Sequence, residues 1–265
     1  MYSLRFWTVV FGLMCAASLT AQPNVDPAAR RRALAEPPVP EEKPVIEFDN
    51  SPIEVSPESE FEIDGNGIIL RYTGDSKRIG IPESIQGIPV TAIGAGAFAG
   101  QHLTGVTLPL GVTEIGKEAF IRNSLWTLDL PEGLVRIGEG AFADNKLIGI
   151  AIPDSVIEIG DGAFASNELT SLRIGPGISR IEDSVFYGNE LSRIIIPNTV
   201  SYIGEESFHY NPITNIAMPG NVNLIDNYER SSFPDDFPAF YNSNGRQAGN
   251  YIFSVGRDGS WTYSE

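Results

Sequence analysis

The chain has 265 residues, of which 34 are acidic and 18 basic, giving a net charge of −16. That balance argues against nucleic acid as a partner, because phosphate contacts need a basic patch. Cysteine occurs once, at Cys15, so a chain that has lost its leader has neither a disulfide nor a thiolate metal site.

Residues 1–21 read as a secretory signal. Arg5 supplies a thin positive region, and Phe6 to Leu19 is an apolar run too short for an ordinary membrane span. Small residues follow, which places cleavage after Ala21, with Ala17 as the alternative; no stable membrane span remains after cleavage. Gly12, Leu13 and Met14 make a poor lipobox ahead of Cys15. Residues 22–57 read as a linker whose eight prolines favour an extended, semi-rigid spacer. The triplet Arg30-Arg31-Arg32 within it is short for contact with anionic lipid and reads more simply as a solvated, protease-sensitive run.

Residues 58–92 form an N-terminal cap and entry unit. Phe61-Glu62-Ile63, then Asp64-Gly65-Asn66-Gly67, then Ile68 to Tyr72 predict a β-hairpin over the first coil, since an open strand edge recruits other strands. Asp64-Gly65-Asn66-Gly67 is similar to part of a calcium loop, but the remaining ligands and the terminal Glu are missing. Ile81 to Val90 opens the repeats with a unit five residues longer, between its proline and Ile93, than its successors.

From residue 93 to 226 a 22-residue period governs the chain. Leu103, Leu125, Leu147, Leu169, Leu191 and Ile213 lead the units; Pro109, Pro131, Pro153, Pro197 and Pro219 follow, with Gly175 replacing the proline once. Isoleucine recurs from Ile115 to Ile225, phenylalanine from Phe98 to Phe208, and Asn123, Asn145, Asn167, Asn189 and Asn211 close the units. A strict period of this length marks a solenoid. In the unit from Leu147 to Asn167, Leu147, Ile150 and Ile152 point inward from a first strand, while Ile148, Gly149 and Ala151 point out. Pro153 ends that strand because it has no N–H to give. Val156 and Ile159 return inward along a second extended piece. Gly160 is expected to make the corner with a positive φ, Ala163 and Phe164 to fill the interior from a short helical turn, and Asn167 to bond backbone groups at the next corner. One coil cannot bury its apolar side chains alone; stacking buries them, at roughly 1.5–3 kcal/mol each before entropy.

The consensus L-x-x-I-x-I-P-x-x-V-x-x-I-G-x-x-A-F-x-x-N-x resembles the BspA-like, or treponemal-type, leucine-rich repeat over about residues 79–226. The resemblance implies a β-rich α/β solenoid, a right-handed leucine-rich repeat superhelix of 22-residue coils with β caps at both ends. It also implies a surface protein that attaches to host matrix proteins, host cells or other bacteria.

Residues 227–265 leave the period and read as a C-terminal cap. Phe233, Phe237, Phe240 and Tyr241 precede Asn242-Ser243-Asn244-Gly245, then a strand from Tyr251 to Val255, a turn at Arg257-Asp258-Gly259, and a strand from Trp261 to Tyr263. F-Y-x-x-N-G-x-x-A-G-x-Y is similar to a tail of treponemal repeat proteins, and an aromatic ligand platform is the alternative reading. A terminal repeat needs covering, which favours the cap.

Chemistry is sparse. His102 and His209 fall on distant coils, and no nucleophile elbow, metal-spaced cluster or phosphate loop is present. The sequence therefore calls for no cofactor or metal and no catalytic residue. The outward positions of the first strands are more informative. Asp129 is the one acid among them, against Arg173 and Arg193, in a strongly acidic chain. Trp126 and Ile148 hold equivalent positions on adjacent coils, with Ile195 farther along. Trp beside Arg on an exposed sheet has the composition of an interaction hot spot, so Trp126, Asp129, Ile148, Arg173, Arg193 and Ile195 are the candidate binding residues. The expected function is an exported binding protein, adhesin-like, taking a protein ligand. A periplasmic scaffold is the alternative, and an enzyme would need an unrecognised site in the tail.

Overall fold

In the computed structural model the described residues are 51–225, 230–233, 237–254 and 260–264, all within one unit, Ser51–Glu265. The leader, Cys15, the Arg30–Arg32 triplet and the turn at Arg257-Asp258-Gly259 lie outside them.

The chain winds as a β-solenoid. First strands form one row: Arg78–Gly80 pairs in parallel with Gly105–Thr107, Gly149–Ala151 with Ser171–Arg173, and Arg193–Ile195 with Asn215–Met218. A second row, two residues per coil, runs through Ala92–Ile93, Glu114–Ile115, Arg136–Ile137 and Glu158–Ile159. The carbonyls of Pro109, Pro131, Pro153 and Pro197 each accept a bond from the residue three on, as Pro153 does from Val156 at 3.2 Å, and Gly175 takes the same part for Ile178; at Pro219 the Tyr241 hydroxyl donates instead, at 2.8 Å. Leu147, Ile150, Ile152, Val156, Ile159, Ala163 and Phe164 of one coil are all buried.

Phenylalanine supplies the axis of the core. Phe98, Phe120, Phe142, Phe164, Phe186 and Phe208 stack face to face with centroids 4.8–5.8 Å apart and are fully buried. Two rings outside the period complete the column. Tyr72 stacks on Phe98 at 5.7 Å, and Phe233 on Phe208 at 5.0 Å. Their backbones follow the same rule as the repeats: Tyr72 N–H donates to Ala97, as Phe98 N–H does to Ala119.

Asparagine rivets coil to coil. Asn167 Oδ1 accepts from Leu147 N–H at 3.0 Å, and Nδ2 donates to the carbonyls of Phe142 at 2.9 Å and Phe164 at 3.2 Å. Asn123, Asn145, Asn189 and Asn211 repeat these bonds. The expected backbone bonding is present, but it reaches back to the preceding coil and not on to the next corner.

Two local expectations are corrected. Ala163 and Phe164 sit on a reverse turn, closed by Ala163 N–H to Gly160 C=O at 3.2 Å, and not on a helical one. Gly160 does not have positive φ; the left-handed residues of that coil are Gly162 and Ser166. Gly160 is glycine because a Cβ there would lie 2.5 Å from Glu139 N of the preceding coil. Gly116 and Gly138 meet the same obstacle at 2.8 and 2.5 Å.

Glu182 breaks this glycine column, standing one period after Gly160. At that step Glu158–Ile159 and Arg180–Ile181 are not hydrogen-bonded neighbours, so the second row splits into two sheets. Phe164–Phe186, across the same step, is the widest ring spacing at 5.8 Å. A side chain at a position packed for hydrogen thus holds two coils apart on one side.

The ends are built differently. Phe61–Ile63 and Ile68–Tyr72 form an antiparallel hairpin, as expected, and Ile68–Ile69 joins the second row beside Ala92–Ile93. At the other end the helix Phe237–Ser243, which the sequence reading did not foresee, packs Phe237 and Tyr241 beneath the hairpin Gly249–Ser254 and Ser260–Ser264. That hairpin extends the first row: Gly249–Ile252 pairs antiparallel with Asn215–Met218. Phe233, Phe237, Tyr241, Tyr251 and Trp261 are buried, so these rings are core and not an exposed platform.

Candidate binding face

The first-strand row presents its outward positions as columns. Ile148 N–H donates to Trp126 C=O at 3.2 Å and Thr170 N–H to Ile148 C=O at 2.8 Å, which places Trp126, Ile148 and Thr170 one above another. Trp126 is half-buried and Ile148 is 38% exposed. The next column carries Gly149 beside Ser171, and the last carries Ala151 beside Arg173. Arg193 and Ile195 pair in register with Asn215 and Ala217, and Ile195 is 58% exposed.

Arg173 and Arg193 differ in charge environment. The Arg173 guanidinium turns back to the proline end of the preceding coil, 2.6 Å from Asp154 and 3.2 Å from the Ile152 carbonyl. Arg193 is exposed and has no ion pair among the described residues. Of the two, only Arg193 offers an uncompensated charge to a partner.

Asp129 sits where the row is interrupted. Residues 127–129 have no sheet partner on either side, although Gly105–Thr107 and Gly149–Ala151 are strands. A groove of about 650 Å³ opens there, with Thr127, Asp129 and Glu132 on one wall and Ser171 and Arg173 on the other. A smaller hollow of about 260 Å³ lies on the far side of the same segment, lined by Leu108, Leu110, Asp129, Pro131 and Glu132. The structure thus joins Asp129 and Arg173 in one groove, leaves Trp126 and Ile148 as a column outside its lining, and sets Arg193 and Ile195 farther along the row. Glu132 and Leu110, the latter 77% exposed, were missed by the sequence reading. Both directly follow a proline, and that was the available signal.

The other candidates resolve into structure. Asp64 is tied into its turn, its carboxylate accepting from the Ile68 and Asn66 N–H groups at 2.9 Å each. The Ile68 amide chiefly holds that carboxyl below its usual range. His209 packs against Tyr210 at 4.7 Å, far in sequence from His102. Among the described residues no group of three His, Cys, Asp or Glu side chains could hold a metal ion, and no helix is long and apolar enough to cross a membrane.

A stacked 22-residue coil with a leucine at its head and a strand-lined face defines a leucine-rich repeat protein, the class whose repeats mediate protein–protein interaction. The family model for the BspA type leucine rich repeat region matches in six copies over residues 72–190 and 135–233, running from the first ring of the stack, Tyr72, to the last, Phe233. The chain belongs to that family. A leucine-rich repeat protein of Treponema pallidum is 28% identical, with 51% of this chain and 78% of that one aligned at a TM-score of 0.44. The pneumococcal vaccine antigen PcpA is 22% identical at a TM-score of 0.52, over 62% of this chain and 49% of its own. A leucine-rich cell surface protein of Faecalibacterium prausnitzii is 21% identical at 0.48, over 76% and 57%. No curated protein matches the chain by sequence.

Proposed function

We propose that this is an exported, surface-exposed protein that binds another protein through its first-strand face, in the manner of an adhesin. The carrying observation is the face itself. Its inward residues are spent on the core, while Trp126, Ile148, Ile195 and Arg193 remain at least partly at the surface beside a groove at Asp129. Adjacent apolar side chains left at a surface, as Trp126 and Ile148 are, mark an interaction site, and Trp and Arg are among the residues enriched where interfaces are anchored. The apolar leader at residues 1–21 supports export, and membership of the family supports a binding role over catalysis.

Two measurements test this reading. The full chain is assayed against immobilised collagen, laminin and whole host cells, with Trp126→Ala and Ile148→Ser beside wild type. Binding that falls at least roughly tenfold in either variant supports the face, since a hot-spot truncation costs about 2 kcal/mol or more; full affinity in both rules the site out. Trypsin is then applied to intact source cells. Loss of the full-length band with a periplasmic control intact supports exposure. A band protected until the envelope is opened moves the reading to a periplasmic scaffold.

A further inference from the structure

The edges of this solenoid are protected unequally. At the N-terminal end of the first-strand row, Arg78–Gly80 is covered on its outer side: Gly80 N–H donates to Glu54 C=O at 3.1 Å and Ser56 N–H to Gly80 C=O at 2.8 Å. The outermost strand of the second row, Phe61–Ile63, is three residues long, bulged at Glu62 and Ile63, and carries the exposed Glu62. Short length, a bulge and a charge are the ordinary defences of an edge. Ser260–Ser264 has none of them. It is the outermost strand of its sheet, five residues long, with no proline and no charge, and nothing among the described residues pairs with its outer side.

The hydrogen-bond alternation shows which groups that edge presents. Phe253 N–H donates to Thr214 C=O at 2.8 Å, so Phe253 and Tyr251 turn their backbone groups toward Asn215–Met218. Asn250, Ile252 and Ser254 then face the outer strand, where their partners are Ser264, Thr262 and Ser260. The N–H and C=O groups of Trp261 and Tyr263 therefore point away from the sheet, toward solvent.

We infer that Ser260–Ser264 pairs, antiparallel and about a two-fold axis at Thr262, with the same strand of a second copy of this chain. The strand is self-complementary in that register. Trp261 comes opposite Tyr263 of the partner subunit and Tyr263 opposite Trp261 of the partner subunit, so all four outward backbone groups on each side find partners and each pair is aromatic on aromatic, a favoured cross-strand combination. Charge points to the same occupant. Two chains of net charge −16 repel, and this uncharged stretch lets them meet without placing carboxylates opposite one another. With the opposite end of the row covered, the contact closes as an isologous pair and does not propagate into a fibre. A five-residue strand pair is smaller than a standard interface, so the dimer is weak and concentration-dependent. Thr262 lies in register with Ile252, which lies in register with Asn215. Dimerisation therefore fuses the first-strand faces of two copies into one sheet and makes the binding protein bivalent.

A cysteine trap tests the register. In the full chain carrying Cys15→Ser, Thr262→Cys places two thiols directly opposite each other at a non-hydrogen-bonded pair, about 4.5 Å apart at Cα, within reach of a disulfide. Ser264→Cys is exposed on the same strand face but stands opposite Ser260 of the partner subunit and has no thiol to meet. Under mild oxidation the Thr262→Cys chain is expected to cross-link at least roughly fivefold faster than the Ser264→Cys chain, because disulfide closure depends steeply on Cα separation. In sedimentation equilibrium, wild type is expected to shift toward dimer as concentration rises, and Thr262→Glu, which puts two like charges at the axis, to remain monomeric. Equal cross-linking of the two cysteine variants overturns the inference, as does a wild-type chain that stays monomeric at the highest concentration reached.

Discussion

Replacing Asn167 with alanine tests the internal riveting of the solenoid. The side chain is buried, accepts a bond from Leu147 N–H at the head of its own unit, and donates to the carbonyls of Phe142 on the preceding coil and Phe164 on its own. Alanine leaves Leu147 N–H without a partner in a site closed to water, while the Phe142 and Phe164 carbonyls each lose one bond and keep those from Asn145 Nδ2 at 3.1 Å and Asn189 Nδ2 at 3.0 Å. The orphaned N–H costs about 1–3 kcal/mol and each forfeited carbonyl bond about 0.5–1.5 kcal/mol, so Asn167→Ala is expected to lose about 3 kcal/mol. In a unit of this size each kcal/mol moves the melting point by about 2–4 °C, and a fall of roughly 6–12 °C follows. Asn167→Asp sharpens the test. A carboxyl can still accept from Leu147, but it can donate to Phe142 only while protonated. Its folded-state pKa must therefore rise above the unfolded value near 3.9. The charged form is disfavoured in the fold, so the penalty is absent below about pH 3.9 and grows as pH rises above it. Urea unfolding of wild type, Asn167→Ala and Asn167→Asp, repeated across pH, reads both effects. A loss below about 1 kcal/mol for alanine, or an aspartate variant whose deficit does not grow with pH, would refute the reasoning.

Two further substitutions probe the glycine column. Gly160→Ala is expected to destabilise by about 1–3 kcal/mol, the usual cost of overpacking, because its Cβ would meet Glu139 N at 2.5 Å; thermal melting checks it, and a neutral result would mean the coils slide apart freely there. Glu182→Gly runs the other way. Two restored backbone bonds, at about 1 kcal/mol each, outweigh about 1 kcal/mol of glycine entropy, so the variant should gain about 1 kcal/mol. Amide hydrogen exchange at Ser179 and at position 182 should slow, and unchanged exchange there would show that Glu182 is not what parts the strands.

The core of this protein was readable from its letters because a strict period forces equivalent residues into equivalent places. Once Phe142 is inside, so are its counterparts 22 residues away. Where the period slips, the reading failed. Phe233 follows Phe208 by 25 residues and Tyr72 precedes Phe98 by 26, so neither was recognised as a ring of the same stack. Gly160 was assigned for the wrong reason, because a close approach by the preceding coil leaves no local trace and positive φ is the commoner cause of a glycine. The helix Phe237–Ser243 was missed for lack of an amphipathic repeat in seven residues. At the binding face, the columns of Trp126 and Ile148 follow from register alone. The groove at Asp129 does not, because it depends on how far two coils splay, and neither does the capture of Arg173 by Asp154, which sits after the proline of the coil before.

The asparagine ladder also bears on how such a chain can change in length. Every rivet is made between motif positions that all coils share, so a coil carrying Leu, Phe and Asn in place can sit against any other that carries them. Losing or duplicating one unit of 22 residues rebuilds the same asparagine bonds wherever coils newly meet, while an insertion of any other size breaks the ladder on the spot. The number of coils is thus free to drift in whole steps, and with it the span of the outward face, without any compensating change in the core.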